Sequence, residues 1–273
     1  MFQQAAPKST LRSALSIAEL IYHSIVRNVR KTHGNAIMSI LMNMLQTVMF
    51  VMVFFIMFTI LGMKGAALRG DFLIYIMSGI FLFMTHTKTM GAVAGAEGPS
   101  SPMMKHAPMN TVVAITAAAL STLYIQLISL AAILFVYHVA FVPLDIDQPI
   151  GALGMLMLAW FSGIGIGMVL LALKPWFPGF VAILTTVYQR ANMIASGKMF
   201  VANTLPTFML NMFDWNPLFH CIDQSRGFAF INYAPRNSSV DYPLYFGLVF
   251  LMLGLMGEFY TRHRVSVSWG AKS

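Results

Sequence analysis

Few residues in this sequence have the types and spacing that chemistry needs, and most candidates fail on context. Arg226 to Tyr233 reads RGFAFINY, close to the aromatic strand motif of RNA-recognition modules. That motif works only on a four-stranded sheet whose aromatics stack bases. Here it lies between a capped helix and a long apolar run, so no nucleic-acid partner is expected. Ser162 to Gly167 reads SGIGIG. A dinucleotide fingerprint needs a preceding strand and a later acidic residue, whereas glycines this dense inside an apolar helix let helix backbones approach closely.

Other catalytic patterns are missing. The terminal Gly270-Ala271-Lys272-Ser273 only echoes a P-loop, and no G-x-x-x-x-G-K-[ST], H-E-x-x-H or G-x-S-x-G occurs. The seven histidines (His23, His33, His86, His106, His138, His220 and His263) lack metal-ligand spacing and read mostly as interfacial or loop residues. A lone cysteine, Cys221, excludes an intramolecular disulfide framework and a Cys-based metal cluster. No metal, no cofactor on this chain and no covalent catalysis are expected, so it does not read as an enzyme. What stands out instead is a cation. Arg190, in Tyr188-Gln189-Arg190-Ala191-Asn192, falls about 18 Å along an apolar run at the helical rise. An ionisable group at that depth is costly and normally faces a pathway or a partner. The alternative is a shorter span, with Arg190 snorkelling outward toward Lys198.

The elements that hold these residues are membrane helices. Hydrophobic residues make up 58% of the 273, charged residues 10%, and the mean hydropathy is +0.73; a soluble domain is typically about 25% charged. Apolar runs long enough to span recur along the chain. Six spans are expected, over about 36–61, 72–89, 111–139, 150–173, 179–195 and 243–260. No cleavable signal peptide is evident, and no internal repeat is clear enough to use.

Ahead of the first span, Leu11, Leu15, Ala18, Tyr22, Ile25 and Val29 recur at steps of three and four, with Arg12, Ser16, Glu19, His23, Arg27 and Arg30 on the other side. That is an amphipathic helix suited to the membrane interface. The segment 196–242 is too long for a plain connection and too broken for two spans. An apolar piece at 205–213 and the cap Asn216-Pro217 predict two short helices in, or dipping into, the outer interface. Lysine and arginine concentrate on one side: Lys8, Arg12, Arg27, Arg30, Lys31, Lys88, Lys105, Lys174, Arg262, Arg264 and Lys272. By the positive-inside bias both termini are cytoplasmic, and the net charge of +8 belongs to the membrane surface.

Trp215-Asn216-Pro217-Leu218-Phe219-His220, followed by Ser225-Arg226, resembles the permeases of ABC exporters for capsular polysaccharide, of the type-2 exporter class that also carries O-antigen and teichoic acid. The resemblance extends over nearly the whole chain, as one all-α transmembrane domain over 1–273. It implies a cytoplasmic tail and amphipathic gate helix (1–33), five spans (36–195), periplasmic short helices (196–242), the sixth span (243–260) and a second cytoplasmic tail (261–273). It also implies a homodimer in the bacterial inner membrane, with a channel between the permeases. Two copies of a separate ABC ATPase, carrying ATP and Mg, would drive it, and a periplasmic co-polymerase-type protein would cap the exit. The coupling contact would lie at Glu97, Pro99, Ser100, Pro102, Lys105 and His106. Arg190 and Lys198 would favour an acidic glycan in the channel, where Tyr22, Phe213 and Trp215 would stack on sugars. Arg27, Arg30 and Lys31 would meet the phosphate of a glycolipid terminus. Two rivals stand beside this reading: the same architecture with another lipid-linked polymer, and a secondary transporter. The second would want intramembrane carboxylates or helices broken at the midplane, and only Glu258, near the inner end of the last span, offers one.

Overall fold

A computed structural model describes residues 10–31, 34–62, 71–98 and 110–264. Nine α-helices form among the described residues, and no strand. The amphipathic segment is α1, Thr10–Lys31, whose last turn carries Arg30 and Lys31, where cations meet the negative end of the helix dipole. Gly34, at φ 69°, donates to the Arg30 carbonyl at 2.8 Å. Helix α2, Ala36–Ile60, begins where the Asn35 side chain accepts from the Ile37 amide. Helix α3, Phe72–Ala94, is capped in the same way by Asp71, at 2.8 Å. Next come α4, Thr111–Ala140, and α5, Pro149–Leu173. Helices α5 and α6, Pro178–Ala195, both start on proline, whose fixed φ and missing N–H suit a first turn. The outer segment holds a single 3-10 turn at Ala202–Thr204, then α7, Thr207–Phe213, and α8, Pro217–Ala229. Asn216 caps α8 as its sequence predicts, accepting from the Leu218 amide at 3.0 Å. Helix α9, Asp241–Arg264, completes the chain's described part.

Five of these helices (α2, α3, α4, α5 and α9) are long and apolar enough to cross a membrane. Helix α6, expected as a sixth span, is 18 residues long and is not among them. Gln189, Arg190 and Asn192, all in its second half, bring its hydropathy down.

Helix α5 sits centrally, packed against α9 on one side and α3 on the other; α3 in turn meets α4 and α2, and α1 lies along α4. Burial is greatest in the pair α3 and α5, at 78% and 61% of their apolar windows, against 22% for α2 and 17% for α9. The SGIGIG stretch explains how close the central layers come. A Cβ on Gly163 would lie 2.7 Å from the His86 carbonyl oxygen, and one on Gly167 2.8 Å from that of Met90, both on α3. Gly165, between them, faces α9, where its Cβ would lie 2.9 Å from the Gly247 carbonyl oxygen. These glycines are packing residues, as their context in an apolar helix predicts.

Candidate functional sites: a basic cavity, a polar crevice and an arginine clamp

The last two turns of α1 lie along α4 beside the end of α3, and between them is a cavity of about 880 Å³. Arg27, Arg30 and Lys31 line it from α1, Glu97 from the residues after α3, and Ser121 and Thr122 from α4. The three cations expected to meet a phosphate therefore share one cavity. Its position follows from the α1 sequence. Ser24 and Val29 are buried, which turns the basic side of the last turns along the cavity, while Leu15 and Tyr22, also on the apolar stripe, stay exposed. Among the expected coupling residues, Glu97 borders this cavity; Pro99, Ser100, Pro102, Lys105 and His106 lie outside the described residues.

A second cavity, of about 500 Å³, opens among α2, α3 and α4 and shares Thr122 and Ile125 with the first. Lys88 of α3 donates there to the amide oxygens of Asn43 and of Gln46, the latter at 2.7 Å. Asn43 in turn donates to the Ser129 hydroxyl at 2.8 Å, and Gln126 lies alongside. The sequence places Lys88 only near an inner helix end. Asn43 and Gln46, one helical turn apart, were the signal available for a polar face on the first span.

The WNPLFH…SR stretch builds a clamp. Arg226 is 0% exposed and its guanidinium donates to three backbone carbonyls: Gly197 at 2.9 Å, Phe200 at 2.7 Å and Lys198 at 2.8 Å. It also lies over the Tyr75 ring, 4.1 Å from its centroid. The loop after α6 is thereby drawn onto α3 at Gly79, where a Cβ would meet Lys198 Cβ at 2.8 Å. Asn216 holds the same loop from below, donating to Asn192 Oδ1 at 2.9 Å and to the Ala195 carbonyl at 3.0 Å. Pro217 begins the helix that carries the arginine. His220 accepts at Nδ1 from the Ser239 amide at 3.1 Å. Its Nε2 must then carry the proton it gives the Asp214 carbonyl, at 2.5 Å. Burial pushes this imidazole below its ordinary pKa, against a smaller upward pull from that carbonyl bond, so it holds the loop as a neutral ring.

The clamp corrects two expectations about the channel. Lys198 is 3% exposed. Its ammonium makes no hydrogen bond and sits 3.4 Å from the Phe83 ring centroid and 5.2 Å from that of Phe54, a cation–π environment. Within the single chain it faces these rings rather than the surface, because Arg226 holds its backbone inward. Phe213 is also buried, against Phe200 and Phe219. Trp215, Tyr22 and Arg190 are exposed on the surface of the single chain. One histidine is deeper than its scattered sequence position implies. His86, fully buried on α3, meets the Ala159 carbonyl through Nδ1 at 3.0 Å and the Tyr188 hydroxyl through Nε2 at 2.9 Å, tying α3 to α5 and α6. Nδ1 faces a carbonyl, so it carries the proton and Nε2 accepts.

Fold and sites together define an all-α, multi-pass membrane protein with cation-lined cavities, and no metal-binding cluster among the described residues. No family model matches the sequence. The chain is similar to the polysialic acid transport protein KpsM of Escherichia coli, 23% identical over 189 residues, which is 68% of this chain and 71% of that protein. That relative, a transport protein by name, agrees with the resemblance to polysaccharide-exporter permeases carried by WNPLFH…SR.

Proposed function

We propose that this chain is the permease subunit of an ATP-driven exporter of capsular polysaccharide in the bacterial inner membrane, with both termini cytoplasmic. The likeness to KpsM over two thirds of the chain carries the reading, and the clustering of Arg27, Arg30 and Lys31 on one cavity supports it. In this account two permeases form the channel, with α6 as a sixth span and α7 and α8 at its outer end. Two ABC ATPase chains bind ATP and Mg and push through the segment after Glu97. A periplasmic co-polymerase-type protein receives the glycan. Arg190, exposed on α6, lies on the channel side and favours an acidic cargo. A glycolipid-terminated polysaccharide presents its phosphate to the basic cavity, while the outward stripe of α1 rests on membrane lipid.

The experiment is affinity purification of the full chain from detergent-solubilised membranes. A soluble protein carrying a Walker A motif is expected to copurify at a 1:1 ratio, in a particle holding two copies of each chain. If no ATPase is recovered, even after cross-linking, the exporter reading fails. Within it, reversing Arg27, Arg30 and Lys31 to glutamate is expected to lower surface polysaccharide about tenfold with insertion unchanged. Three attractions to a phosphate become three repulsions at partly exposed sites, so the defect should ease in high salt when transport is assayed in vesicles. Wild-type export by the triple variant removes the headgroup role.

A further inference from the structure

We propose that Lys88, Asn43, Gln46 and Gln126 form an intramembrane subsite for the acidic, hydroxyl-rich end of the transported glycan, reached from the basic cavity along α4. The inference rests on the exporter reading and adds a place inside the membrane where the cargo is held.

The first argument is charge. A lysine ammonium has three N–H donors, and Lys88 uses two of them on the amide oxygens of Asn43 and Gln46. Among the described residues no carboxylate pairs with it. A cation inside a spanning helix without a counter-ion is expensive and marks a ligand or ion pathway. An anion arriving at that ammonium would offset the cost.

The second argument is hydrogen bonding. Gln46 and Gln126 both line the crevice. Gln46 gives its oxygen to Lys88, and its NH₂ remains for a ligand oxygen. Asn43 is held in place by Ser129, which is fully buried. A cation flanked by amides, of which Asn43 and Gln126 are held by each other and by Ser129, matches a carboxylate or phosphate next to sugar hydroxyls, whereas an acyl chain offers these groups nothing. Preorganisation of this kind is what a binding site needs.

The third argument is position. Lys88 stands six residues from the end of α3, roughly 9 Å at the helical rise, and Asn43 seven residues from the start of α2, roughly 10 Å. Both therefore lie within the apolar helices rather than at their ends, and lipid as the occupant is tested below. The crevice shares Thr122 and Ile125 with the basic cavity. A glycan whose phosphate is held by Arg27, Arg30 and Lys31 could therefore lay its first sugars along α4 to Lys88.

The test uses the full chain in phosphatidylcholine nanodiscs, with Met42→Cys as a reporter. Met42 lines the crevice, and the native Cys221 is fully buried and should be silent. An uncharged maleimide is expected to label Met42→Cys, and a sialic acid trimer to slow that labelling at least fivefold. Maltotriose, which has hydroxyls but no charge, should slow it less than twofold. Adding Lys88→Met should abolish the protection, while Lys88→Arg should keep it and show that the fold is intact. Three results would overturn the proposal: labelling no faster than Cys221, which means a dry crevice; equal protection in Lys88→Met; or protection by phosphatidylglycerol discs alone with none added by the trimer. None of these touches the ATPase purification. Conversely, a lysine-dependent protected site without a copurifying ATPase would leave the subsite standing and undo the exporter.

Discussion

Arg226→Leu is expected to leave almost no monodisperse protein after extraction from the membrane. The arginine contacts no solvent, so its role cannot be to touch cargo directly. Its removal leaves the carbonyls of Gly197, Lys198 and Phe200 without their donors. A buried polar group left unsatisfied costs about 1–3 kcal/mol, so three together cost on the order of 5 kcal/mol. That is comparable to the whole stability of many domains. The loop would also release Lys198 from the phenylalanine ring it covers. Arg226→Lys keeps the charge but not the planar fork that reaches several carbonyls at once, and should fall between the two. Fluorescence-detected size exclusion and a thermal ramp in detergent read the result. A leucine variant that elutes and melts like the wild type would show that the loop is held by something else.

Gly163→Val should have the second-largest effect, and it has an internal control. The valine Cβ would lie 2.7 Å from the His86 carbonyl oxygen, closer than real Cβ atoms come. A neighbouring helix backbone cannot rotate away as a side chain can, so α3 and α5 must separate. Overpacking of this kind typically costs about 1–3 kcal/mol. The separation would also stretch the bonds from His86 to Ala159 and Ser162. Gly154 lies on the same helix with nothing within 4 Å of its Cβ, so Gly154→Val should be tolerated. The melting temperature of Gly163→Val should therefore fall by several degrees relative to Gly154→Val. Equal melting of the two would mean that α3 and α5 are not in close contact in the membrane.

Much of this architecture was legible in the sequence, because the governing physics is local. Apolar runs of spanning length predict helices at α2, α3, α4, α5 and α9. Asn216-Pro217 predicts the start of α8, since a side-chain oxygen can cap the amides ahead of it and proline needs no donor there. The stripe from Leu11 to Val29 predicts α1, and glycines inside an apolar helix predict the close approach around Gly163 and Gly167. Helical periodicity also puts Arg27 and Arg30 on the polar side of α1, and the basic cavity forms there with Lys31 beside them.

Partners distant in sequence were not legible. Periodicity says which residues share a face but not what faces them. Asn43 and Gln126 lie 83 residues apart, so neither announces the other, and Lys88 reads alone as a residue near a helix end. Lys198 is the clearest case. Its charge and its place after α6 argue for water or a channel. Arg226 instead holds its carbonyl, Gly79 leaves room for its Cβ, and Phe54 and Phe83 receive its ammonium. Local sequence determined which segments are helices and where they begin. Only the packing of α3 against α8 and the α6 loop decided that this cation is interior, because three backbone hydrogen bonds and two aromatic faces can outweigh the preference of one side chain for water.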